Sequence, residues 1–233
     1  MNEPETSAVG LITSVETQKR SKRRFNIFID EAFAFSVHED IMVKHRLLKG
    51  EYIDPKRTAE VLGDEERHEV YMRALRLIGR RPHARKELER KLKERGYEAE
   101  LIDWACSRLQ AEHYLDDEAF ARQVTEQRIY SQRKGRNLVK EELRQKGVAK
   151  ELVQEALGAV DPEEELAGAL KIAETKWRQT GGSFMDRKRK TAAFLMRRGY
   201  TGNIVSKALA QIAVKTDTDE AGGEEDEVMF EDY

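Results

Sequence analysis

The chain has 233 residues, of which 37% are charged and only 7% aromatic, with four prolines. That mixture argues against a sandwich or barrel and for long solvated helices. The single cysteine, Cys106, excludes an intramolecular disulfide framework. No apolar run approaches the roughly 20 residues that span a bilayer, and the net charge of −2 at pH 7 hides an asymmetry along the chain.

Residues 1–8 read as a disordered N-terminus without a signal-peptide core. Residues 9–62 form an N-terminal element. Phe25, Ile27 and Ile29, then Phe33, Phe35 and Val37, alternate on either side of Asp30-Glu31, which predicts a β-hairpin over 24–37. A strand near Gly10–Thr17 joins it, because a lone hairpin is marginal in water. Lys19, Arg20, Lys22, Arg23 and Arg24 then lie in an exposed basic turn. Ile41, Lys44, Leu47 and Leu48 suggest a short helix stopped by Gly50, and Asp54-Pro55 offers an N-cap with Pro at the first helical position.

From here the chain reads as three three-helix repeats, 63–115, 116–161 and 162–213. In the first, helices are expected at Asp64–Ile78, Ala84–Arg95 and Glu98–Ala111. In the second they fall at Glu118–Tyr130, Arg136–Lys146 and Ala149–Ala159, and in the third at Glu163–Gln179, Phe184–Arg198 and Gly202–Ala213. The repeat is carried by a recurring set: Leu92, Gly96, Tyr97, Leu101, Ile102, Ala105; then Leu143, Gly147, Val148, Leu152, Val153, Ala156; then Leu195, Gly199, Tyr200, Ile204, Val205, Ala208. The glycines stand 51 and 52 residues apart, a period typical of stacked repeats that bury their apolar faces on one another. Each Gly sits just past a helix, where a left-handed backbone disfavours any residue with a Cβ. The Leu four residues earlier faces the core, the residue after Gly folds back on the last turn, and the Ala allows the third helix to approach closely. The expected fold is mainly all-α, an elongated curved array with a small N-terminal β-hairpin or three-strand element.

The tail, 214–233, reads as acidic and disordered. Residues 217–233 hold nine Asp or Glu and no Lys or Arg, leaving 42 Lys and Arg against 35 acidic residues in the body. A basic body suits a polyanion or an acidic protein groove. Its cations cluster before the second helix of each repeat: Arg80, Arg81, Arg85 and Lys86; Arg133, Lys134 and Arg136; Arg187, Lys188, Arg189 and Lys190, with Arg197 and Arg198 nearby. Stacking would bring them along one edge, although charged helices are often merely solvated. These cations, Lys86 apart, form the candidate binding surface.

Catalysis finds no foothold. The five histidines, His38, His45, His68, His83 and His113, show no metal spacing, and His113 before Asp116-Asp117-Glu118 reads better as a loop preceding an N-cap. No P-loop, dinucleotide fingerprint or nucleophile elbow occurs. Gly181-Gly182-Ser183 reads as a linker, Cys106 as a small core residue, and Glu141-Glu142 as solvated surface. The sequence therefore predicts neither enzyme, cofactor nor metal, and a soluble cytoplasmic protein.

Three strings resemble the regulatory protein RecX family: Arg85-Lys86-Glu87-Leu88 through Gly96-Tyr97, Tyr114-Leu115-Asp116-Asp117-Glu118-Ala119-Phe120-Ala121, and Leu143-Arg144-Gln145-Lys146-Gly147. The likeness spans about residues 70–213 and is weaker in the hairpin. It implies tandem three-helix repeats, no catalysis, and binding to RecA within its filament on DNA. ATPase, strand-exchange and coprotease activities are thereby inhibited, and with them recombinational repair and the SOS response are modulated. Single- and double-stranded DNA are further implied partners, with no membrane and a monomeric state. The acidic tail and Lys134-Gly135-Arg136-Asn137-Leu138 depart from the family pattern. A second reading is a direct DNA-binding module using helix-turn-helix-like corners, although no third helix concentrates the Arg, Asn and Gln of a recognition helix. A third is a repeat scaffold that binds neither.

Overall fold

A computed structural model describes residues 8–19 and 21–221. The expected disorder of residues 1–8 falls, except for Ala8, outside the described residues, as does the tail from Gly222. The element order is β1 (Gly10–Gln18), β2 (Ser21–Ile29), β3 (Ala32–His38), α1 (Glu39–Lys44), β4 (Tyr52–Ile53) and α2 (Pro55–Ile78). There follow α3 (Arg85–Lys93), α4 (Ala99–Ala111), α5 (Asp117–Glu126), α6 (Arg136–Gln145), α7 (Lys150–Gly158), α8 (Pro162–Arg178), α9 (Phe184–Arg197) and α10 (Gly202–Ala221). No described helix is long and apolar enough to cross a membrane.

The described residues form two compact units, one comprising the chain to His83 with Leu88–Leu115, the other Ala84–Glu87 with the chain from Asp116 to Ala221. In the first, the antiparallel sheet runs β3-β2-β1-β4. Asp30 and Glu31 both adopt positive φ, 47° and 69°, the geometry of a tight hairpin turn whose twist matches its strands. The register places Phe25 opposite Val37 and Ile27 opposite Phe35, then shifts before Phe28. That irregularity breaks the alternation, so Phe35 and Val37 are buried while Phe33 remains 54% exposed. The sheet has a fourth strand that the sequence reading did not anticipate. Tyr52–Ile53 pairs with Gly10 and Leu11, and two residues carry no period. Lys22, Arg23 and Arg24 belong to β2 rather than to a turn; Arg23 pairs with Glu39 at 3.3 Å and Arg24 with Glu65 at 2.9 Å.

Helix α2 starts at Pro55, well before the expected Asp64. The Asp54 side chain accepts from the Arg57 amide at 2.7 Å, capping the helix. Gly63 is tolerated inside the helix, so what reads as two segments is one. Ile12, Ile27, Leu47, Ile53 and Val61 form one core with the sheet, while Val70, Ala74, Leu88, Leu92, Ala105, Cys106 and Leu109 form the core of the first repeat. His38 of β3 and His68 of α2 stack, ring centroids 4.4 Å apart, although 30 positions separate them in the chain.

The second unit holds two further cores. Phe120, Val124, Val139, Leu143, Val148 and Val153 cluster with Ala84; Trp177, Leu195, Tyr200, Ile204 and Ala208 form the other. Beyond Glu126, α5 loosens into a π-helical turn, Gln127–Ser131, with the Gln132 amide reaching Gln127 O. Helix α10 continues to Ala221 in backbone, past the expected stop at Ala213; the sequence offers no Gly or Pro until Gly222.

The repeat signature has the geometry its residues require. Gly96, Gly147 and Gly199 have φ of 87°, 82° and 89°. At the second and third, the following amide returns to the leucine carbonyl, Val148 N to Leu143 O at 3.1 Å and Tyr200 N to Leu195 O at 3.2 Å. These are Schellman stops. Leu92, Leu143 and Leu195 are fully buried, as are Ala105 and Ala208.

Candidate functional site

Within the second unit each helical corner docks on the start of an earlier helix, and this docking decides which cations are available. Helix α6 begins at Gly135 without a side-chain cap of its own. The α9–α10 corner serves instead: Gly135 N donates to Arg198 O at 2.9 Å and Asn137 N to Gly199 O at 3.0 Å. Glu165 of α8 accepts from the Arg136 amide at 3.1 Å and from its guanidinium at 2.5 Å. Arg136 also donates to Leu157 O and Val160 O, closing over a carboxylate only 2% exposed. The α6–α7 corner repeats the arrangement on the first turn of α3. Asp117 accepts from the Arg85 amide at 2.7 Å, and Lys146 pairs with Glu87 at 3.2 Å.

Glycine is mandatory at these contacts. A Cβ on Gly199 would lie 2.4 Å from Leu138 Cβ, and one on Gly147 would lie 2.5 Å from Lys86 Cβ. A Cβ on Gly135 would meet the Gly199 carbonyl carbon at 2.2 Å. The departure at Lys134-Gly135-Arg136 thus has a local cause: backbone meets backbone at this joint.

Several predicted cations are consumed by this architecture. Arg136 holds Glu165. Arg198 donates to Gln132 O at 2.6 Å and to Arg133 O, and the Tyr200 hydroxyl donates to the same Arg133 carbonyl at 2.9 Å; burial pushes that phenol up to about 12. Arg133 itself has φ of 49°, which turns its carbonyl into the joint. Lys134 reaches Glu142 at 3.4 Å beside the tighter Arg128–Glu142 pair at 2.7 Å. Glu142 is therefore an anchored acid rather than solvated surface, and the Arg128 hydrogen bonds hold it below the ordinary carboxylate value. Arg187 lies over the Trp177 ring, 4.8 Å from its centroid, and donates to Trp177 O.

The remaining predicted cations are at least partly exposed. Arg80 and Arg81 are exposed after α2, with Arg81 donating to Pro82 O, and Arg85 is half-buried. On α9, Lys188, Arg189 and Lys190 are exposed. Arg189 makes an i,i+3 pair with Asp186, at 3.4 Å and 78% exposed, which contributes little in water. Lys190 and Arg197 meet Lys176, a residue the cation clusters did not include, around a cleft of about 380 Å³ between α8 and α9. Gln179, Thr180 and Gly181 add to its wall, and among the described residues no carboxylate lines it. Lys176 escaped because it stands between Thr175 and Trp177, outside any run of cations; the α8 turn brings it opposite α9. Three cations with no acid among them form a surface for phosphate or carboxylate groups.

Residues 10–54 match the family described as regulatory protein RecX N-terminal domain. Residues 71–109, 116–157 and 163–209 match its first, second and third three-helix domains. The chain is similar to the regulatory protein RecX of Bacillus cereus (strain AH820), 31% identical over 214 residues, covering 90% of this chain and 79% of that protein. It is also similar to that of Halalkalibacterium halodurans, 30% identical over 217 residues, 91% and 82% covered. A solved structure of regulatory protein RecX superposes with a TM-score of 0.69 at 26% identity, covering 85% of this chain and 98% of that one. The structure of RecX from Lactobacillus salivarius gives 0.61 at 19% identity, covering 65% and 99%, a likeness of fold.

Proposed function

The chain belongs to the regulatory protein RecX family, and from that premise we propose that it is a non-enzymatic cytoplasmic regulator that binds RecA and its filament on DNA as a monomer. The observation that carries the proposal is the ordered match of all four family domains, with a cationic cleft on the third repeat that no described acid lines. In this reading Lys176, Lys188, Arg189, Lys190 and Arg197 engage acidic protein surface and DNA phosphates along the filament. Arg80, Arg81, Arg85 and the Arg133 side chain are further contact residues, while Lys134, Arg136, Arg187 and Arg198 act by holding the repeats in shape. Inhibition of ATP hydrolysis, strand exchange and coprotease activity follows from occupying or ending the filament, and so bears on recombinational repair and the SOS response.

A second reading, direct DNA binding with RecA contact secondary, is favoured by the same cleft, since it offers phosphate ligands and no base-reading side chains. Affinity built on phosphates alone falls steeply with salt and is indifferent to sequence.

The test is DNA-dependent ATP hydrolysis by RecA while this protein is titrated in below equimolar amounts. Inhibition far below one protein per RecA supports a filament regulator. Inhibition only at amounts that coat the DNA supports direct strand binding, and no inhibition at any ratio contradicts both.

A further inference from the structure

The first unit contains a polar cluster that the repeat architecture does not require. His38 ends β3, Asp40 lies in the first turn of α1, and His68 lies on α2. One donor atom from each lies within 4.8 Å of the other two. His38 Nδ1 is 3.3 Å from Asp40 Oδ2, and His68 Nε2 is 3.8 Å from the same oxygen. His68 Nε2 is inaccessible to solvent and makes no hydrogen bond to a described residue. At 3.8 Å it is too far to donate to the carboxylate. If instead it carries a lone pair, two acceptors face each other across a gap. Either state leaves a buried polar atom unsatisfied, a position that a bound water or ion ordinarily satisfies.

The surroundings favour a cation. The two imidazoles stack with their planes 32° apart, which brings a ring nitrogen of each close to the Asp40 carboxylate. Neighbouring charges are already matched. Glu65 pairs with Arg24 and also accepts from the His38 amide at 2.7 Å, fixing the end of β3. Asp64 is taken up by Lys44, His45 and Arg67. Asp40 is left as the charge of the cluster, and its side chain, 64% exposed, opens it to solvent. His38 Nδ1 accepts only a long 3.3 Å bond from the Asp40 amide, a weak competitor for a metal.

From this geometry we infer that His38, Asp40 and His68 form a binding site for a borderline divalent transition ion, with Zn²⁺ as its representative. Two imidazoles and one carboxylate are the donors such ions take, with water completing the shell, whereas Mg²⁺ and Ca²⁺ prefer all-oxygen sites. The ion ties the end of β3 and the start of α1 to α2. It acts as a staple for the first unit, and binding raises that unit's stability by linkage.

The test is calorimetric titration of the full chain, freed of any affinity tag, with Zn²⁺, and with Mg²⁺ for comparison. The expected result is one Zn²⁺ per chain, no Mg²⁺ at the same concentrations, and a higher melting temperature with Zn²⁺. Asp40→Asn, at an exposed position that the fold tolerates, weakens binding by about tenfold or more. His68→Gln does the same, and His113→Gln leaves it unchanged. Absence of saturable Zn²⁺ binding overturns the inference, because a bridging water then accounts for the cluster. Unchanged affinity in Asp40→Asn overturns it equally, by placing the ion elsewhere.

Discussion

The starts of α6 and α9 occupy equivalent places in successive repeats and are built in opposite ways. Helix α6 has glycine at its cap and borrows its hydrogen-bond partners from Arg198, Gly199 and Glu165 of the following repeat. Helix α9 caps itself: Ser183 Oγ accepts from the Asp186 amide at 3.2 Å. The cations differ accordingly. Arg136 is folded over a buried carboxylate, whereas Lys188, Arg189 and Lys190 remain in solvent. A repeat reproduces the position of a charge without reproducing its use. Inside a joint, arginine is a structural ligand; where no described corner docks on the helix, the same kind of residue stays exposed to solvent.

The sharpest way to break this contrast is Arg136→Ala, which removes the guanidinium from buried Glu165 and leaves it only the backbone amide of residue 136. Losing one side of a buried pair costs about 3–5 kcal/mol, so chemical denaturation should show a large loss. A change below about 1 kcal/mol would mean that the joint does not depend on the pair. Next comes Gly199→Ala against Gly96→Ala. Both residues are left-handed, but Gly96 faces open space while a Cβ at Gly199 collides with Leu138. The first should cost about 3 kcal/mol and the second about 1–2 kcal/mol; equal losses would remove the corner contact from the account.

A smaller effect concerns pH. Arg128 holds Glu142 below its ordinary 4.5, so the pair contributes fully above that value and is lost as pH falls through the lower, folded value. Glu142→Gln should therefore be less stable than the parent at neutral pH and show a shallower loss of melting temperature below pH 4.5. Parallel acid limbs would contradict the pairing. The smallest effect on stability belongs to the exposed cations of α9. A combined Lys188→Ala, Arg189→Ala and Lys190→Ala variant should unfold within about 0.5 kcal/mol of the parent. A loss as large as that of Arg136→Ala would place these side chains in a joint as well.

Much of the fold was legible because its signals are local. Leu92-to-Gly96 and its two echoes specify a buried leucine, a left-handed stop and a close-packed alanine within a short span, and Asp30-Glu31 marks its own turn. What escaped depends on residues far apart. Strand β4 is two residues with no period, and the Asp54 cap joined to a helix that runs through Gly63 looks like two segments. The proposed binding surface was half legible: charge density on α9 pointed to it, but the same density at Arg133–Arg136 marks a joint whose partner, Glu165, lies 29 residues beyond Arg136. Lys176 had no run of cations around it to announce it, and the His38–Asp40–His68 cluster exists only because β3 and α1 fold against α2.

The most direct test of the central claim is inhibition of RecA ATP hydrolysis on single-stranded DNA by the parent chain and by a variant with Lys176, Lys188, Arg189, Lys190 and Arg197 changed to Ala. Arg187 is left intact because it packs on Trp177. The account predicts that the variant folds as the parent does and loses most of its inhibition. Full inhibition by a folded variant would contradict the claim that the exposed cations of the third repeat engage the filament.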